Sequence, residues 1–153
     1  MPPKKATTIS KSRSLPKSSK KISKAGSKRR RASPQSDFAE VFSTLRDVMA
    51  SYAGELQATA NGPKKYYLVT KSLSWKGGPM FFGAVIMGKA YVSYHLMPLY
   101  VQPALMKQIS PELKRHMQGK SCFNFHSPDK NLFTELSVLT KSGLELYRSK
   151  ALL

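Results

Sequence analysis

Several things that usually identify a protein are scarce or missing in this sequence. There is one cysteine, Cys122, which excludes an internal disulfide framework and suits a reducing compartment. No stretch of about 18 apolar residues occurs, so no membrane span is expected. No secretory leader is read either, because Lys4 and Lys5 run into a Ser/Lys mixture where an apolar core would have to lie. Acid is also scarce: eight Asp and Glu stand against 26 Lys and Arg, for a formal net charge of +18. The imbalance is uneven along the chain. Residues 1–36 carry twelve Lys or Arg and no acid, whereas residues 37–153 carry fourteen basic and eight acidic residues. Two thirds of the net charge therefore sits in the first quarter of the chain.

No complete catalytic or metal motif is present. Gly119-Lys120-Ser121 matches only the end of a phosphate-binding P-loop. The full motif needs a glycine five residues earlier and a preceding strand, and Lys114 and a predicted helix stand there instead. A weaker expectation survives, a cationic edge made of Lys114, Arg115 and Lys120. One Cys and three His would just supply the ligands of a zinc site, but no paired spacing supports it, so no metal site and no cofactor are assigned. Cys122 is expected to be a buried, inert thiol. A Cys-His nucleophile pair with His126 or His95 is the sharper and less favoured alternative, since it needs an adjacent base or a helix N-terminus to activate the thiol.

At 153 residues the chain has room for one domain with an appendage. Residues 1–35 hold only isolated apolar residues (Ile9, Leu15, Ile22) among Lys, Arg, Ser, Ala and Pro, too few to offset the entropy of ordering the backbone. They are expected to be disordered, leaving residues 36–153 as the folded domain. The domain opens with a helix: Phe38, Val41, Phe42, Leu45, Val48, Met49 and Tyr52 recur at three- and four-residue steps. Ser36 is read as its N-cap and Gly54 as its left-handed C-terminal cap.

Asn61-Gly62-Pro63 between Leu56–Ala60 and Lys65–Lys71 predicts a hairpin. The almost wholly apolar run Met80–Met87 predicts a strand buried on both faces. Gly88-Lys89 predicts a two-residue turn into an antiparallel strand over Ala90–Met97. A short helix over Val101–Gln108 follows, then a second one started by Ser110-Pro111-Glu112 and stopped by Gly119. Ser121–Phe125 alternates as a short strand. Ser127-Pro128-Asp129 repeats the start signal for a last helix along Leu132, Phe133, Leu136, Leu139 and Leu144, with Gly143 weakening its second half. The expected class is α+β: an antiparallel sheet of about five strands packed by N- and C-terminal helices, behind a disordered basic tail.

Three segments within residues 36–148, Tyr91–Pro98, Ser110–Lys114 and Gln118–Phe125, resemble the bacterial YdhG-like domains of unknown function. The resemblance implies the same α+β fold and a bacterial, cytoplasmic setting. Some members of that group have been likened to frataxin-type iron carriers. Such a role relies on clustered surface carboxylates, whereas the first helix here offers only Asp37, Glu40, Asp47 and Glu55 in a net-positive domain.

Two binding readings follow. A pocket for a small ligand is expected between the uncovered sheet face and the Trp75 loop, with Trp75, Tyr91, Tyr94, His95 and Lys120 as its candidate residues and Tyr100 as a further aromatic. The plainer reading makes His95 a hydrogen-bonded core histidine and the tyrosines ordinary core. The basic segment carries the firmer expectation. Lys20, Lys21, Lys24, Lys28, Arg29, Arg30 and Arg31 suit contact with a DNA or RNA backbone without sequence preference, since each neutralised phosphate releases counterions. A solubilising tail and a targeting signal are the alternatives. The favoured expectation is a non-enzymatic domain tethered to nucleic acid or another polyanion, nucleoid-associated in a bacterial cytoplasm. The rival is a small-ligand or iron-handling domain with an incidental tail.

Overall fold

The computed structural model describes residues 34–74 and 77–153. The predicted disorder of residues 1–35 thus lies almost wholly outside the described residues, as do Trp75 and Lys76. Helix α1 spans Pro34–Ala50. It begins before Ser36, because proline suits a first turn whose N–H groups have no helical partner. Ser36 therefore lies inside the helix and is not its cap. The predicted stripe is the packed face, with Val41, Phe42, Leu45 and Met49 buried. Gly54 does not take the left-handed conformation; among the described glycines only Gly77 and Gly119 have positive φ. The chain leaves α1 instead through backbone bonds from Tyr52 N to Met49 O and from Leu56 N to Tyr52 O.

Six strands follow: β1 (Leu56–Asn61), β2 (Lys65–Ser74), β3 (Gly78–Met87), β4 (Val92–Leu96), β5 (Met117–Gln118) and β6 (Cys122–Phe125). They form one sheet in the order β1-β2-β3-β4-β6-β5, antiparallel at every pairing. The β1/β2 hairpin turns as Asn61-Gly62-Pro63 predicts, with Gly62 N bonded to Lys65 O. The β3/β4 turn is longer than predicted. It runs over residues 88–91, closed by Gly88 N to Tyr91 O, and Met87 pairs with Val92.

Proline divides the connection after β4. Pro98 opens α2 (Pro98–Val101), and Pro103 starts a separate 3₁₀ turn (Pro103–Gln108) where one helix was predicted. Ser110 does cap α3 (Pro111–Lys114), its side chain accepting from Leu113 N at 3.1 Å. That helix stops at Lys114, not at Gly119. The residues between make the sixth strand, β5, and Gly119 (φ 75°) turns the chain into β6. Helix α4 spans Lys130–Ser149 and is capped by Asp129, which accepts from Asn131 N and Leu132 N, and not by Ser127.

Helices α1 and α4 cover one face of the sheet. Met49 of α1 reaches Gly83 of β3, Phe133 of α4 packs edge-on against Phe125 at 5.1 Å, and Tyr147 packs on Phe82 at 5.3 Å. Tyr94 is fully buried between the layers, its hydroxyl 2.5 Å from Thr140 Oγ1. Thr140 spends its one proton on Leu136 O, so Tyr94 is the donor. Gly143 does not interrupt α4: it is where α4 meets α2, and a Cβ there would lie 2.8 Å from the Pro98 ring.

Candidate functional site

Strand residues alternate between faces, so the two packed helices sort every side chain. On β2, Tyr66, Leu68 and Thr70 are buried beneath the helices while Tyr67 and Val69 face the other way. On β4, Val92, Tyr94 and Leu96 are buried, and Ser93 and His95 are half-exposed on that second face. On β6, Phe123 and Phe125 point in, and Cys122 and Asn124 point out. Among the described residues no helix covers this second face.

β3 departs from simple alternation. Its register against β2 steps from Leu68↔Gly83 to Val69↔Phe81, so Phe82 has no partner on β2, which is a β-bulge. Phe82 and Gly83 both turn towards the helices, and Phe81 is left on the open face beside Tyr67, ring centroids 6.0 Å apart. Tyr67, Phe81, Ile86 and His95 wall a depression of about 280 Å³ whose floor is Ala84. Ala84 is 0% exposed although no helix lies over it, because these larger side chains shield it.

Pairing carries the site across the sheet. Tyr67 pairs with Ala84, Ala84 with His95, His95 with Cys122 and Cys122 with Gln118, a transverse row over five strands. The adjoining row runs Lys65, Ile86, Ser93, Asn124. His95 Nδ1 lies 2.8 Å from Cys122 Sγ, and burial lowers the pKa of the imidazole below its ordinary value. A neutral ring can accept from the thiol or donate to it. Cys122 is half-exposed beside a ring nitrogen, so the expectation of a buried thiol is corrected. An acyl-transfer site would also need a group orienting the base and donors for an oxyanion. No hydrogen bond to His95 Nε2 is found among the described residues. The other histidines stand apart: His126 faces Tyr91, and His116 stacks on Phe125 at 4.8 Å with Nδ1 on Asn124 O.

The five residues expected to share a pocket do not converge. His95 lines the depression. Tyr94, its neighbour in sequence, is on the opposite face with its hydroxyl engaged, and burial raises its pKa. Tyr91 sits at one end of β4, whereas Lys120 lies beyond the other, 5.8 Å over the Tyr100 ring. Trp75 is outside the described residues, as are Lys20, Lys21, Lys24, Lys28, Arg29, Arg30 and Arg31. Tyr67 and Phe81 are the aromatic residues that line the depression instead. No family model, curated protein or solved structure matches the chain.

Electrostatically the sheet stands out within the domain. None of the eight acids falls in a strand. Two ion pairs occur among the described residues, Arg46–Asp47 and Arg148–Glu55. The Arg148 hydrogen bond holds the Glu55 carboxyl below its usual range. Lys64 in the β1/β2 turn, Lys65 at the start of β2 and Lys89 in the β3/β4 turn are exposed without an ion pair among the described residues, and the two turns are neighbours, since Met87 N bonds Lys64 O and Lys65 pairs with Ile86. Among the described residues no group of three or more His, Cys, Asp or Glu is placed to hold a metal ion.

Proposed function

We propose that this protein is a non-enzymatic nucleic-acid-associated protein, held to phosphate backbones by its N-terminal basic segment. The observation that carries the proposal is twelve Lys or Arg without one Asp or Glu in residues 1–36. A run of cations with no internal acid has nothing in the same segment to neutralise it, so a polyanion is the complementary partner, and counterion release drives the association. The lysines of the domain that have no ion pair add further positive charge to the chain. A nucleoid-associated place in a bacterial cytoplasm is part of this proposal. Kinship with the YdhG-like domains, resting on the three segments quoted above, is also part of it and adds no activity.

The test compares duplex DNA affinity for the full chain and for a chain lacking residues 1–33 at low ionic strength. The shorter chain is expected to lose most of the affinity. Equal affinity would refute the assignment to the basic segment.

One observation favours a second function, capture of a small apolar ligand: the depression walled by Tyr67, Phe81, Ile86 and His95. Its volume of about 280 Å³ falls just below the ~300–1,000 Å³ usual for ligand sites. Titration of a ligand library against chain lacking residues 1–33 separates the two, because the ligand function does not need the basic segment.

A further inference from the structure

The geometry points to the open sheet face as a platform for single-stranded nucleic acid, bases stacking on Tyr67 and Phe81 and phosphates held by Lys65 and its neighbours. This rests on the nucleic-acid reading above and gives that partner a strandedness. Tyr67, Phe81 and Ile86 are partly exposed at the centre of a sheet face that no described helix covers, which leaves the two rings open to a partner. The charge around it selects the occupant. The strands carry no acid, Lys65 lies on the same face as Tyr67 two residues away on β2, and the exposed Lys64 and Lys89 stand in the hairpin turns beyond the ends of these strands. A second copy of the chain would bring these lysines against each other, and a purely apolar partner would leave them unanswered. A polyanion that also offers flat rings satisfies both.

Single strands do this and duplexes do not. Base faces are exposed only when unstacked from a partner, and aromatic side chains on an open sheet accept them irrespective of sequence. The spacing also fits. Residues two apart on a strand are separated by about 7 Å, so Lys65 lies beside the Tyr67 ring much as a phosphate lies beside its base. The second row supplies polar edges: Ser93 lies between Ile86 and Asn124, and Asn124 is itself tied to Gln118 by an amide hydrogen bond of 2.6 Å. These groups offer hydrogen bonds to base edges without demanding one base.

The experiment uses the full chain with a twelve-nucleotide oligothymidine and a blunt DNA duplex as probes. Tyr67→Ala and Phe81→Ala are each expected to weaken oligothymidine binding about tenfold and to leave duplex binding within twofold. Tyr67→Phe, which keeps the ring, is expected to bind like the parent. Lys65→Ala is expected to reduce the salt slope for oligothymidine by about one. Duplex affinity rests on the basic segment and would survive misfolding of the domain, so a thermal melt of each variant against the parent separates a misfolded domain, which loses the transition, from a folded one that has lost only a ring.

Duplex binding with no ring dependence for oligothymidine would overturn the platform and leave the basic-segment function standing. Absence of binding to both probes by the parent chain would remove that function as well. Thymidine monophosphate competing as strongly as the oligomer would also overturn the platform, in favour of a small-ligand pocket.

Discussion

His95 shows how one side chain ties the open face to stability. Partial burial lowers its pKa, and its Nδ1 faces the Cys122 thiol at 2.8 Å. Its folded-state pKa is lowered from an ordinary value of 6.5, so the unfolded chain takes up its proton first as the pH falls. The stability that comes from keeping the ring neutral is fully present above about pH 6.5 and is lost as the pH falls towards and through the folded-state value. Melting temperatures measured between pH 8 and pH 5 should therefore decline on the acid side. The decline should be smaller in His95→Gln, which cannot titrate there. Superimposable profiles for the two proteins would mean that His95 is not the group responsible. The same residue shows what a period of two makes legible. Tyr94 and His95 are adjacent in a strand, so they must face opposite sides, and grouping both in one pocket was excluded by alternation alone. Phe81 was not legible in this way: its outward turn depends on the bulge at Phe82, and a run as apolar as Met80–Met87 carries no polar residue to mark it.

At the level of elements, the connection from α2 through α3 to α4 is fixed by two contacts between distant residues. Glu135 of α4 accepts from Ser110 N at 2.7 Å and from Ser110 Oγ at 2.8 Å, so the cap of α3 is itself held by the last helix. Gly143 lets α4 approach Pro98 of α2, a proline that is buried. Replacing Gly143 by Ala would raise helix propensity by about 1 kcal/mol. It would also put a methyl group against a rigid ring, and such overpacking costs about 1–3 kcal/mol. The clash is expected to win, and a thermal or denaturant melt of Gly143→Ala should show a less stable domain; a more stable one would mean that the two helices can part at no cost. From sequence, Gly143 reads as a weakness of α4 because its partner lies 45 residues away. Local signals were more readable. The apolar stripe of α1, the Ser110 cap and the Asn61-Gly62-Pro63 turn are each set by neighbours within a few positions. Strand β5 was hidden because two residues, Met117 and Gln118, cannot show a period.

For the whole molecule, charge is unevenly spread: the twelve cations of residues 1–36 have no acid among them. Among the described residues the apolar core draws its members from Phe38 onward, and the acid-free cationic run begins before it in sequence. Whether the protein associates with phosphate backbones is tested most directly by titrating the full chain with two duplexes of unrelated sequence over a range of salt concentrations. If roughly five phosphates are neutralised together, log K should fall against log salt with a slope near −4.5, about −0.9 for each. Both duplexes should give the same slope, and the chain lacking residues 1–33 should lose most of it. A slope near zero, a slope that differs between the two sequences, or a truncated chain that keeps the full slope would contradict the account.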